Sequence, residues 1–254
     1  MALAALCDDG EWGLTWRDVL QHRFTGSGPL SGHSLGNLLI VSLWELLDDP
    51  VEGLDLVGRL LGSRGRVLPM ADVPLEIEAD ILGHDPLVPD LVQTVRGQHI
   101  VASTSGHVQG VRIIPADPGC PPEALTAVEV ADWVMLGPGS WFTSVLPHLL
   151  VPGLRGALMA TQARILLNLN LEIHTGETKG FRAQDHLGSL AEHAPDLRID
   201  VVLADPSCVD DRAALERAAA RIGARLVVAQ VAMTSAPGQH DSLRLAAAYR
   251  DLIG

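Results

Sequence analysis

Asp132-Trp-Val-Met-Leu-Gly-Pro-Gly-Ser-Trp-Phe-Thr-Ser144 is the stretch that decides how the chain is read. Trp133 to Leu136 is apolar without alternation, the pattern of a strand buried on both faces. Gly137, Pro138 and Gly139 then form a turn, and a helix is expected to start around Trp141 to Thr143. Strand, glycine turn and helix in that order build a parallel sheet covered by helices.

The same unit repeats downstream. Strands are expected over 164–170, 199–204 and 225–229, and helices over 143–150, 184–193, 212–222 and 242–252. A helix over 124–131 precedes the first strand. Between residues 65 and 115 the period changes. Residues 73–81 alternate apolar and acidic side chains, and 99–103 and 108–115 read as further short strands, so this region is expected to be a small antiparallel sheet. Ahead of it, the polar Gly-rich run 25–32 reads as a loop. Ser34 stands at an N-cap position before an apolar, mostly buried helix over 35–47, and a second helix runs over 51–61. The expected fold is α/β: a single domain over 1–254 with a Rossmann-like parallel sheet flanked by helices and a small antiparallel strand region.

The 254 residues carry 18 basic and 31 acidic side chains, a net charge of −13 that disfavours non-specific contact with nucleic acid. Lys179 is the single lysine, so individual arginines carry little weight as signals. Cys7, Cys120 and Cys208 are widely spaced with no CxxC pair, which argues against a zinc ribbon or a disulfide framework. The N-terminus lacks a basic n-region and is broken by Asp8, and the longest apolar stretch, 37–47, falls short of the roughly 20 residues a membrane span needs. The expectation is a soluble cytoplasmic protein without membrane insertion.

Ligands of parallel α/β sheets gather at the carboxyl ends of the strands, where free N–H groups at helix starts favour anions. Gly137 and Gly139 let the backbone approach a phosphate, and Ser140, Thr143 and Ser144 offer hydroxyl donors. The turn is neither a P-loop nor a GxGxxG motif, because no Gly-Lys-Ser/Thr follows and Phe142 fills the third glycine position. A second loop on the same sheet edge supplies Gly176, Glu177 and Thr178. Gly32-His33-Ser34-Leu35-Gly36 fits the GxSxG nucleophile elbow, and Asp205 and His240 follow in the order of a triad. The polar run before it cannot be the strand an elbow requires, so Ser34 reads as a cap, with His33 and Asn37 at the ligand cleft. His174, Glu177, Asp185 and His186 have no recognised metal-ligand spacing, and no catalytic group, metal or cofactor is assigned.

At these residues the sequence resembles the gluconeogenesis factor family, the YvcK-like branch of the CofD-like superfamily, whose other branch is 2-phospho-L-lactate transferase. The matching blocks are Gly32 to Leu38, Arg64 to Pro69, Leu136 to Pro147, Leu150 to Gly153, Gly176 to Thr178 with Asp185 and His186, and His240 with Asp241. The resemblance implies a Rossmann-like fold and a cytoplasmic protein needed for cell shape under gluconeogenic growth. It implies binding of a UDP-sugar such as UDP-N-acetylglucosamine without catalysis, contact with cell-wall synthesis proteins, and allows a homo-oligomer. Gly137 to Ser144 would then hold the diphosphate, His33 and Asn37 would close the cleft, and Glu177 and Thr178 would meet sugar or phosphate. The alternatives are a magnesium-dependent CofD-like transferase and a ligand-free interaction protein. The family's glycine-rich first strand and loop fall before Met1, so the resemblance implies an N-terminally incomplete domain. Gln239 stands where the family carries arginine, and Lys179 where it carries aspartate.

Overall fold

A computed structural model describes residues 2–172, 176–236 and 238–254. Its backbone contacts divide the chain into two compact units, 1–72 and 73–254.

The first unit is helical: α1 (Ala2–Ala5), α2 (Glu11–Gln21), α3 (Leu35–Leu47) and α4 (Pro50–Leu61). Leu3, Cys7, Leu20, Leu54, Val57 and Leu61 form its buried core, with Trp16, Leu39 and Leu43 packed at the margin. Ser34 caps α3 as expected, its Oγ accepting the Asn37 N–H at 3.3 Å. The loop before it is closed at the base by backbone bonds between Phe24 and His33 and between Phe24 and Gly32. Ser34 therefore leaves a closed loop to enter a helix, and the strand that a nucleophile elbow requires is not there. The expectation that α3 is mostly buried is corrected: Gly36 alone is buried, and Val41, Trp44 and Leu46 are exposed, Leu46 by 79%. An all-round apolar sequence does not say which face its neighbours cover, and α2 and α4 cover one side only.

The second unit holds two sheets. The smaller has the order β2-β1-β3, all antiparallel, with β1 (Glu76–Leu82), β2 (Val92–Arg96) and β3 (His107–Ile114). Its polar face carries a charge network: Glu78 accepts from Arg96 and Arg112, and Asp80 accepts from Arg112 and Thr94. The strand expected over 99–103 is instead α5 (Gln98–Ser103). Both edges of β1 are already taken by β2 and β3, and Gly97 (φ +102°) turns the chain out of β2 immediately before. An apolar segment as short as His99 to Ser103 fits either period until its neighbours decide.

The larger sheet is fully parallel in the order β4-β5-β6-β7: β4 (Trp133–Leu136), β5 (Arg164–Asn168), β6 (Val201–Ala204) and β7 (Arg225–Val228). Ile165, Leu166, Leu167, Val202 and Leu203 of the two inner strands have no accessible surface. β4, expected to be buried on both faces, lies instead at the sheet edge, with Met135 exposed, Trp133 and Val134 half-buried and only Leu136 buried. The helices α6 (Pro122–Glu129), α7 (Leu146–Leu150), α8 (Pro152–Ala160), α9 (Ala183–His193), α10 (Arg212–Arg221) and α11 (Ser242–Ile253) complete the strand-to-strand connections and the C-terminus. Asp241 caps α11, its Oδ1 accepting the N–H groups of Leu243 and Arg244. The α/β architecture read from the sequence is thus the one observed. Among the described residues no helix is long and apolar enough to cross a membrane.

Candidate ligand site

The site is assembled where β4, β5 and β6 end. After Leu136 the chain turns at Gly137, whose φ of +74° is left-handed and whose Cβ, were one present, would stand 2.8 Å from the Asn168 carbonyl oxygen. Only glycine lets β4 and β5 stay this close beyond the last paired residues. Gly139 is then clasped by the side chain of Asn170, just past β5: the Gly139 N–H donates to Oδ1 (2.9 Å) and Nδ2 donates to the Gly139 carbonyl (2.6 Å).

The helix expected after the turn opens as a wide π-type turn, Trp141–Val145, before α7. Val145 N–H reaches five residues back to the Ser140 carbonyl (3.0 Å). Pro147 supplies the physical reason, because it has no N–H for the Thr143 carbonyl and its ring crowds that position.

Glu177 sits in a one-turn 3-10 segment, Gly176–Thr178, and is only 5% exposed. Its Oε1 accepts the Phe142 N–H at 2.8 Å, so a side chain of this chain already satisfies a donor at the start of the wide turn. Its second oxygen, Oε2, is buried without a hydrogen-bond partner among the described residues. Burial raises the Glu177 pKa above the ordinary carboxylate value, opposed by the Phe142 N–H and the Thr143 hydroxyl.

Asp205, at the end of β6, is 3% exposed and accepts three backbone N–H groups: Ser207 on Oδ1, and Val231 and Ala232 on Oδ2. Burial alone would raise its pKa, but the Ser207 hydroxyl and these N–H groups hold it below the usual aspartate value. The chain it ties down returns through a bridge between Ala232 and His240. Burial lowers the His240 pKa against the pull of the Asp205 charge, and His240 Nε2 is buried without a partner among the described residues. Asp205 is thus a structural anchor for the segment that carries His240.

These pieces enclose a cavity of about 340 Å³. Pro138, Gly139, Ser140, Gly176, Glu177 and Thr178 all line it, so six of the residues singled out from sequence meet in one place. Asn170, Glu172 and His240 complete the wall, together with Ala102 from α5. Gly137 and Ser144 border a neighbouring, mainly apolar cavity of about 380 Å³ with Leu136, Val145 and His148. Thr143 is half-buried beside Glu177 and lines neither cavity. His33 and Asn37 are exposed residues of the first unit. His174 of the second loop lies outside the described residues. Asn170 is the residue that sequence reading passed over: its position just past a parallel strand was visible, but its clasp on Gly139 was not.

Residues 1–240 match the family model described as 2-phospho-L-lactate transferase CofD. A Mycobacterium tuberculosis protein named "Putative gluconeogenesis factor" is 48% identical over 250 residues, covering 97% of this chain and 72% of that protein. The gluconeogenesis factor of Bacillus subtilis is 29% identical over 194 residues, 76% of this chain and 59% of that one. Among solved structures, a Bacillus halodurans member of the UPF0052 family superposes with a TM-score of 0.82 at 27% identity, covering 97% of this chain and 79% of that chain. With the parallel sheet, the glycine turn and a match over nearly its whole length, this chain belongs to the CofD family and is similar to its gluconeogenesis factors.

Proposed function

We propose that the protein is a cytoplasmic, non-catalytic UDP-sugar-binding protein that links carbon supply to cell-wall synthesis and cell shape, with UDP-N-acetylglucosamine as its ligand. The observation that supports this reading is the convergence of two loops, Pro138 to Ser140 and Gly176 to Thr178, on one concave, polar cavity at the carboxyl ends of the parallel strands. Asn170 holds the Gly139 peptide and Glu177 holds the Phe142 N–H, so neither group is offered to a ligand, while the Ser140 hydroxyl and the His240 ring line the cavity as donors. The diphosphate then lies along the outer rim of the turn, and the buried Glu177 faces sugar hydroxyls. Names of relatives as gluconeogenesis factors support the link to carbon supply.

Calorimetric titration of the full chain with UDP-N-acetylglucosamine, beside GDP, tests it. Saturable UDP-sugar binding that weakens at least tenfold in Gly139→Val upholds the reading, since valine adds bulk where the backbone meets the ligand. Absence of binding from folded protein, or unchanged affinity in that variant, overturns it. Magnesium-dependent turnover of a guanine nucleotide conjugate would put the transferase reading in its place.

A further inference from the structure

We propose that the groove between β3, α9 and α10 is a second ligand site, shaped for a small sugar phosphate. The groove encloses about 650 Å³ within the second unit and is separate from the cavity at the strand ends. Arg217 and Arg221 stand one turn apart on α10, both exposed and both lining it. Neither makes an ion pair or hydrogen bond with a described residue, whereas Arg212 on the same helix pairs with Glu216. Asp185 and Glu192 line the same groove without pairing with either arginine, and the two like charges, one turn apart on an exposed helix, repel each other weakly. A phosphate is the group that relieves this repulsion, because two guanidinium forks match its oxygens in geometry and charge.

The rest of the lining specifies the body of the ligand. Gln109 and Gln184 present amides and Glu192 a carboxylate, the mixture of donors and acceptors that recognises hydroxyl groups. Val108 and Leu187, both buried, make the floor of the groove apolar. The aromatic rings at this floor, Phe142 and Phe181, are themselves covered, so no open platform is offered for stacking a nucleobase. Phe142 borders this groove while its N–H is held by Glu177 of the other cavity, so the two sites share one segment of chain.

The test is calorimetric titration of the full chain with glucose 6-phosphate, fructose 6-phosphate and glycerol 3-phosphate, with inorganic phosphate and glucose as controls. The expected result is saturable binding of at least one sugar phosphate, at least tenfold tighter than inorganic phosphate. That binding falls at least tenfold in the R217Q/R221Q double variant and persists in Gly139→Val. Because both arginines are exposed, the double variant should melt at the wild-type temperature, and the single variants Arg217→Gln and Arg221→Gln serve if it does not. The proposal is overturned by no saturable binding of any sugar phosphate, by equal affinity for inorganic phosphate, or by binding that survives R217Q/R221Q.

Discussion

Glu177 and Phe142, 35 residues apart in sequence, are joined by a 2.8 Å hydrogen bond from the Phe142 N–H to Glu177 Oε1. Through it the second loop holds the start of the wide turn that follows β4. Truncating the side chain leaves a buried N–H without an acceptor, which costs about 1–3 kcal/mol. Glu177→Ala is therefore expected to lower the urea unfolding free energy by about 2 kcal/mol. Glu177→Gln retains an acceptor oxygen and should lose clearly less. Equal losses in the two variants would mean that the bond contributes little.

The same carboxyl gives the proposed ligand binding a pH dependence. Burial already raises the Glu177 pKa, and an anionic ligand in the same cavity raises it further. Binding therefore takes up a proton, and affinity increases as pH falls through the window above the ordinary glutamate value of 4.5. Titrations across that window should show this slope in the wild type and a shallower one in Glu177→Gln. The remainder comes from the His240 ring, whose pKa burial lowers and an anionic ligand in the same cavity raises again.

Acid stability follows the opposite sign in the antiparallel sheet. The hydrogen bond from Arg96 lowers the Glu78 pKa, aided by Arg112, and Arg112 followed by Thr94 lowers that of Asp80. Groups with depressed folded-state values stabilise the fold above their unfolded values and lose that contribution as pH falls through the folded ones. Melting temperature should drop on acidification below the ordinary carboxylate range. Glu78→Gln should melt lower than wild type at neutral pH and show a shallower acid drop.

The three thiols should separate by burial. Burial pushes the Cys208 thiol up to about 11, and Cys7 is buried as well, while Cys120 is half-exposed. Since the thiolate is the reacting form, iodoacetamide at neutral pH should label Cys120 first in the native protein. Peptide mapping by mass spectrometry checks this, and denaturation should release Cys7 and Cys208. Native labelling of Cys208 ahead of Cys120 would contradict the packing around the end of β6.

The two glycines of the turn should respond differently. Gly137→Ala places a Cβ 2.8 Å from the Asn168 carbonyl at a left-handed φ, and should cost about 2 kcal/mol or more in urea unfolding. A Cβ at Gly139 would meet nothing closer than Ser144 Cβ at 3.4 Å, so Gly139→Ala should leave stability within about 0.5 kcal/mol of wild type.

The layout of the chain was legible wherever one residue pattern sufficed. The apolar runs ending at Leu136, Asn168, Ala204 and Val228 specify parallel strands. The two inner ones, β5 and β6, are buried as such a run implies, while the edge strands β4 and β7 are only partly covered. The ends of those strands in turn point to where loops collect, and six residues chosen on that ground line one cavity. Ser34 was legible as a cap because capping is satisfied within three residues.

What the tertiary structure decided rests on partners distant in sequence. Asn170 clasping Gly139, Glu177 holding Phe142 and Asp205 anchoring Val231 and Ala232 are side-chain-to-backbone bonds across 26 to 35 residues, which leave no local periodicity to read. His99 to Ser103 lies in a short helix that starts directly after the turn at Gly97, and α3 kept an exposed apolar face because its neighbours cover one side. Local patterning sets which segments form strands and helices; which donors, edges and faces remain open is fixed only when those segments compete for the same partners in space.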